Sequence, residues 1–262
     1  MFSENNKNGL VYMTSSVITA RHLFTTRYGG VSTGDFASLN LGSNRGDPQE
    51  NVAENYRRVA AFFGVGRDDC AVTKQVHGNE VRVVTGADKH VCGSKTPYEA
   101  DGLVTTERGL PIFCFVADCV PALLCDAEHG VIAAVHCGWR SSVADILGVT
   151  VEKMCALGAE PESICAAMGA SIAAAASRRT TMCRMPLKNI WAVTRRSSST
   201  AARAAKRWSI SARRTPCACG SSACGRRIST YPMSARCAAM RNTGRTAIPS
   251  AWGRAEAASP PA

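Results

Sequence analysis

The sequence predicts an α/β domain of the layered α+β kind, a mixed sheet with packed helices, over residues 1–172. A basic segment, 173–262, follows without regular structure. Three observations carry this. Strand-length apolar runs alternate with two helical patterns up to Ile172. Those elements are punctuated by Gly, Pro, Asp and Ser at the places where helices start and stop. Beyond Ile172 neither a period of two nor one of 3.6 is sustained, and Ala, Arg and Ser dominate.

The elements follow in order. GLVYMTSSVI (9–18) reads as a strand, and HLFTTRYGGVS (22–32) as a strand running into a Gly-Gly turn. Asp47-Pro48-Gln49-Glu50 has the form of a helix start, with a capping Asp, Pro in the first turn and a Glu reaching back. Val52, Tyr56, Val59, Ala60 and Phe63 recur at helical spacing, and Gly64 ends the pattern. EVRVVTG (80–86), LPIFCFVAD (110–118) and the two apolar runs of CVPALLCDAEHGVIAAVHCGWR (119–140) are strands. Ser142 caps a second helix carrying Ile146, Leu147, Val151 and Met154, with Gly158 at its end. ESICAAMGASI (162–172) closes the series as a strand.

No apolar stretch is long enough to span a bilayer, and MFSENNKNGLVYM lacks the basic-then-apolar pattern of a signal peptide. A cytoplasmic location is therefore expected, with most of the 13 cysteines as reduced thiols. The net charge of +11 divides unevenly: residues 171–262 hold 17 of the 31 Lys/Arg and one of the 20 acids. That leaves 14 basic and 19 acidic residues in 1–170, about −5 against about +16.

Such a tail suggests a nucleic-acid binder, but no recognition module or aromatic stacking pattern is visible in it. A shifted reading frame accounts for it differently. If each codon starts one nucleotide earlier, the Ala173–Ala176 run yields NGC codons, and Thr180-Thr181-Met182 can encode three aspartates. AAAASRRTTMC can thus hide a protein-like stretch such as GRCCFETDDDV. We expect the frame to slip near residue 172, which resequencing of the gene tests. Losing the last third of an α/β domain would expose sheet edges and lower stability, solubility and activity.

Candidate chemistry centres on His77, Cys119 and His136, two imidazoles and a thiol on three segments. Catalytic zinc takes three such ligands and keeps a fourth position open. Spacing alone leaves a buried cysteine and core histidines as the competing reading. Cys114, Cys125 and Cys137 read as packing residues, and His22, His90 and His129 as surface or structural. The tail cysteines Cys217, Cys219 and Cys224 lack a partner pair and make a weak metal pattern.

TTRYGGVS (25–32), FASLNLG (36–42), GD (46–47) with NVAENYRR (51–58), KQVHG (74–78), ADGLVT (100–105), ADCVPALLCD (117–126) and AAVHCGWR (133–140) occur in this order. Together they make residues 1–170 resemble the YfiH family, the multicopper polyphenol oxidase or laccase-domain group. The tail departs from that pattern. The resemblance implies a YfiH-like fold, akin to that of cytotoxic necrotizing factor, and His77, Cys119 and His136 as metal ligands. It also implies a zinc-dependent purine nucleoside phosphorylase acting on adenosine, inosine and methylthioadenosine, with adenosine deamination as a further activity. Multicopper oxidation needs many imidazoles, and this chain has five histidines. Copper remains possible only as an occupant of the same His/Cys site.

Around these residues, Arg27 suits a phosphate or carboxylate, with neighbouring glycines that permit close approach to a ligand, or is a surface Arg. Asn40 would hydrogen-bond a sugar or base edge, or hold a turn. Gln75 and Arg140 flank the ligands, and Arg140 would bind an anion or pair with Asp145. Asp101 would orient a ligand imidazole. Cys119 serves as a ligand, or in a metal-free form as a nucleophile with His136 beside it. The partners expected are a nucleoside and phosphate, with no specific nucleic acid and no membrane. The runner-up is a cysteine-type amidase editing cell-wall precursors, which bacterial members of the family resemble.

Overall fold

A computed structural model describes residues 1–172 except Asn44 and Pro97, together with two short strands at 228–230 and 253–254. The core of the fold is a six-stranded mixed sheet in the order β10-β9-β7-β8-β5-β4. Its strands are β4 (Val81–Val83), β5 (Gly102–Thr105), β7 (Val120–Asp126), β8 (Val131–Cys137), β9 (Cys165–Met168) and β10 (Ile228–Thr230). A three-stranded antiparallel sheet holds β1 (Phe2–Lys7), β2 (Leu10–Ser15) and β3 (Phe24–Thr25). β6 (Cys114–Phe115) pairs with β11 (Gly253–Arg254).

Both faces of the large sheet are covered at β7 and β8, so these two strands are continuous apolar runs rather than alternating ones. Ala122 and Leu124 of β7, with Ala133 and Val135 of β8, meet Ile146, Val151 and Met154 of α3 (Ile146–Ala156) on one side. The intervening Leu123, Cys125 and Ala134 face Phe24 and Met13 of the small sheet on the other. A third cluster packs α1 (Gln49–Phe63) through Val52, Tyr56 and Val59 against Leu23, Leu39 and Phe113.

The expected elements exist, with corrections at their ends. Residues 22–32 keep only Phe24–Thr25 as strand, and 110–118 only Cys114–Phe115. In the first case the chain turns back on residues 37–39; in the second it runs beside Ala71 through isolated pairing. Two strands escaped the reading. β1 is largely polar because it is a solvent-facing edge, and GLVT of β5 is short and wholly buried. Asp47 does not cap α1, whose N-cap is Pro48. Its carboxylate instead accepts from Ser32 Oγ (2.6 Å) and Asn40 Nδ2 (2.9 Å). Ser142 does not open the second helix either: it lies inside the short α2 (Trp139–Val143), and Asp145 caps α3 by accepting from the Gly148 N–H. β10 and β11 lie in the segment expected to be irregular; the other residues of 173–262 lie outside the described residues, as does the hidden-frame stretch.

His22 shows how a buried imidazole is held in this fold. Its Nε2 accepts from the Ser15 N–H (2.8 Å), so the proton sits on Nδ1, which donates to the Ala20 carbonyl (2.8 Å). Burial lowers its pKa from 6.5, outweighing the Ala20 bond that raises it. The folded protein therefore holds His22 neutral while the unfolded chain protonates it, and stability falls as pH drops through the unfolded value of 6.5. The melting temperature should decline below that pH more steeply in the wild type than in His22→Gln. Equal slopes in thermal melts across pH 5–8 would remove His22 from the explanation.

Candidate metal centre

One end of the large sheet gathers four chemistry-bearing residues. β5 and β8 run antiparallel, which sets Asp101 beside His136, and the His136 N–H binds the Asp101 carbonyl (2.7 Å). Cys119 stands directly before β7, whose Val120 faces Cys137 of β8. The 76–78 loop leads into β4, whose Val81 pairs with Gly102. The ligand atoms of His77, Cys119 and His136 lie within 4.8 Å of one another. The two imidazoles meet edge to face, with centroids 4.7 Å apart.

Asp101 ties this arrangement together. Its buried carboxylate accepts the backbone N–H groups of Val76 (3.1 Å), His77 (2.9 Å) and Gly78 (2.8 Å). It also binds His136 Nδ1 at 2.7 Å. The convergent N–H groups hold His77 in a left-handed conformation (φ 61°), which a non-glycine residue adopts only when its surroundings enforce it. Burial pushes the Asp101 carboxyl up, yet the bonds from His136, Gly78 and Val76 outweigh it and keep it below the usual range.

Burial pulls His136 down, but hydrogen bonds to Asp101 and Cys119 overcome it and raise its pKa to about 9. With Nδ1 committed to Asp101, Nε2 is the nitrogen left for Cys119 or a cation, and a cation binding there must displace a proton. Two imidazoles and a thiol, one imidazole locked through its outer nitrogen, form a donor set that fits borderline-soft zinc.

Gly138 is a residue that sequence reasoning missed. A Cβ placed on it would lie 3.0 Å from His77 Cδ2, 3.4 Å from Cys119 Sγ and 3.4 Å from His136 Cε1. The backbone thus forms one wall of the centre. The available signal was a glycine two residues beyond a candidate ligand, in HCGWR.

Three of the residues expected to bind substrate, Arg27, Asn40 and Gln75, make hydrogen bonds to the backbone. Arg27 turns Nε and Nη2 onto the Ala37 carbonyl. Asn40 is buried, donating to Asp47 and accepting from the Gly42 N–H (2.9 Å), so it holds its turn. The Gln75 amide exchanges two hydrogen bonds with the backbone of Phe115 and acts as a substitute strand neighbour. Each of these side chains replaces missing backbone pairing, a demand that no spacing reveals. Arg140 is exposed, with its guanidinium over the Trp139 ring at 4.5 Å. Among the described residues it makes no ion pair with Asp145, whose carboxylate is turned to the Gly148 N–H (3.3 Å). His90 binds the Lys95 carbonyl and Ser94, and His129 binds Asp126. Among the described residues His77, Cys119 and His136 form the one cluster suited to a metal.

A family model described as multi-copper polyphenol oxidoreductase laccase matches residues 21–213. The chain belongs to this YfiH-type laccase-domain family. It is 44% identical over 155 residues to a purine nucleoside phosphorylase of Corynebacterium glutamicum, covering 59% of this chain and 62% of that one. It is 45% identical over 166 residues to a purine nucleoside phosphorylase of Deinococcus radiodurans, covering 63% and 61%. The chain thus spans about three fifths of the length of these relatives. The crystal structure of YlmD from Geobacillus stearothermophilus aligns with a TM-score of 0.63 at 28% identity, covering 70% of each chain. No helix among the described residues is long and apolar enough to cross a membrane.

Proposed function

We propose that this laccase-domain protein is a zinc-dependent purine nucleoside phosphorylase acting on adenosine, inosine and methylthioadenosine, with adenosine deamination as a second reaction. The observation that carries this is the convergence of His77, Cys119 and His136 at one sheet end, in a chain whose relatives bear the phosphorylase name. A phosphate oxygen attacks C1′, and the bond from C1′ to the purine nitrogen breaks with its electron pair on the base. The products are the free base, which takes up the proton that phosphate gives up, and ribose 1-phosphate, or methylthioribose 1-phosphate from methylthioadenosine. His77, Cys119 and His136 would hold the zinc, which supplies positive charge against the developing negative charge. Asp101 keeps the Nδ1 proton of His136 in place, and exposed Arg140, two residues past Gly138, is a candidate for meeting phosphate.

One observation favours the amidase reading. Cys119, His136 and Asp101 form a hydrogen-bonded series, the order in which a thiol, a base and an orienting carboxylate are arranged for nucleophilic attack. Metal dependence separates the two. Phosphorolysis of adenosine and inosine should disappear with a chelator and return with zinc. Chelator-resistant hydrolysis of a muropeptide precursor, without phosphorolysis, would establish the amidase instead.

Residues 173–262 enter the proposal as out-of-frame translation. The assay is therefore run on this chain and on its frame-corrected version. The corrected protein should bind zinc, melt cooperatively and turn over nucleoside at least about tenfold faster. A cooperative melt and equal turnover in the chain as it stands would overturn the frame reading while leaving the phosphorylase reading intact.

A further inference from the structure

We propose that Cys125 and Cys165 are an oxidation site, forming a reversible disulfide across the large sheet, separate from the metal centre. The two residues face each other in the ladder between β7 and β9. Directly opposed residues of an antiparallel pair point to the same face. Both side chains accordingly pack in the cluster with Phe24 and Leu123.

The register also sets their spacing. The Gly169 N–H binds the Pro121 carbonyl (2.9 Å) in the same ladder, four residues from Cys125 along β7. An even offset makes Cys125 and Cys165 a hydrogen-bonded pair too, with Cα atoms about 5.5 Å apart. Disulfides bridge that separation. Opposed Cβ atoms in such pairs lie towards the wide end of roughly 4.5–5.5 Å, whereas a relaxed disulfide favours about 3.8 Å. Closing the bond draws the strands together, and the resulting strain makes it easy to reduce.

Their environments assign an order of events. Cys165 is partly exposed and meets an oxidant first, whereas Cys125 is buried. A peroxide converts the Cys165 thiol to a sulfenic acid and releases one water. The Cys125 sulfur then attacks that sulfur, the S–S bond forms, and a second water leaves with the Cys125 proton. Two thiols lose two electrons in total and the peroxide gains them. Cys70 and Cys92 also touch, but both are fully buried and lack this access.

The disulfide would staple β9 at the far end of the ladder from the metal centre. Beyond β9, the Gly169 and Ile172 N–H groups bind the carbonyls of Pro121 and Asp118, on either side of Cys119. Oxidation would therefore stiffen the segment that brackets this ligand.

Peptide mapping of the full chain tests this. The reduced protein is treated with hydrogen peroxide, remaining thiols are alkylated, and the digest is read by mass. The expected product is a linked peptide pair containing Cys125 and Cys165, lighter by two hydrogens, that glutathione cleaves and Cys165→Ser abolishes. In Cys125→Ala the reaction should stop at a Cys165 sulfenic acid that dimedone traps. A linkage of Cys165 to another cysteine, full alkylation of both residues after peroxide, or no trapped sulfenic acid in Cys125→Ala would each overturn the proposal.

Discussion

Asp101→Asn is expected to weaken zinc binding by about 10–100-fold, the usual cost of removing a carboxylate that orients a ligand histidine. The reason is geometric. One carboxylate positions both imidazoles, His136 through Nδ1 and His77 through the backbone N–H groups of residues 76–78. An amide keeps the size but loses the charge, and its NH₂ face can only repel one of those donors. A buried donor left without an acceptor costs about 1–3 kcal/mol, so thermal stability should fall as well. Competition titration against a chelating indicator gives the affinity, and a melt gives the stability. Asp101→Glu restores charge without geometry and should recover little. Unchanged zinc affinity in Asp101→Asn would show that the ligands are placed without it.

Gly30→Ala should destabilise the fold by about 3 kcal/mol or more, the upper range for forced overpacking. An added Cβ would lie 1.9 Å from the Ser38 carbonyl oxygen, 2.4 Å from Leu39 Cα and 2.5 Å from Asn55 Oδ1. Two of these atoms are backbone and cannot swing aside. The segment is also bound there on both sides: Ser38 and Leu39 N–H groups reach the Arg27 carbonyl (3.0 and 2.8 Å), and the Val31 N–H reaches Asn55 Oδ1 (2.8 Å). Chemical denaturation reads the loss, and a midpoint like the wild type's would mean that the 37–39 segment yields. The variant also tests what the glycines of TTRYGG do. Sequence reasoning assigned them to close approach of a ligand, whereas Gly30 admits the protein's own chain.

Strand and helix placement was legible where apolar runs are long enough or recur at helical spacing. β7, β8 and α1 carry enough apolar residues at the right spacing for pattern alone to find them. β1 and β5 were not legible, the first because an exposed edge needs no apolar alternation, the second because four buried residues are too few to show a period. The capping residues failed for a related reason. Asp47 and Ser142 have the right chemistry, but Asp47 is drawn into a buried network with Ser32 and Asn40, and Asp145 does the capping of α3.

The order of residues along the chain determined by itself that two imidazoles and a thiol stand on short segments ending at loops, within an α/β pattern that stops near Ile172. Side-chain chemistry and local period depend only on neighbours a few positions away, so they are readable in one dimension. The tertiary structure decided which donors meet and which polar side chains are free for a ligand. His77, Asp101, Cys119 and His136 are separated by up to 59 residues (136 − 77); the antiparallel pairing of β5, β7 and β8, with the parallel pairing of β4 on β5 that brings in the 76–78 loop, carries them to one sheet end. Arg27, Asn40 and Gln75 looked equally available in sequence. Folding left backbone groups near each that required partners, and an unpaired buried backbone group is costly enough to claim such a side chain first.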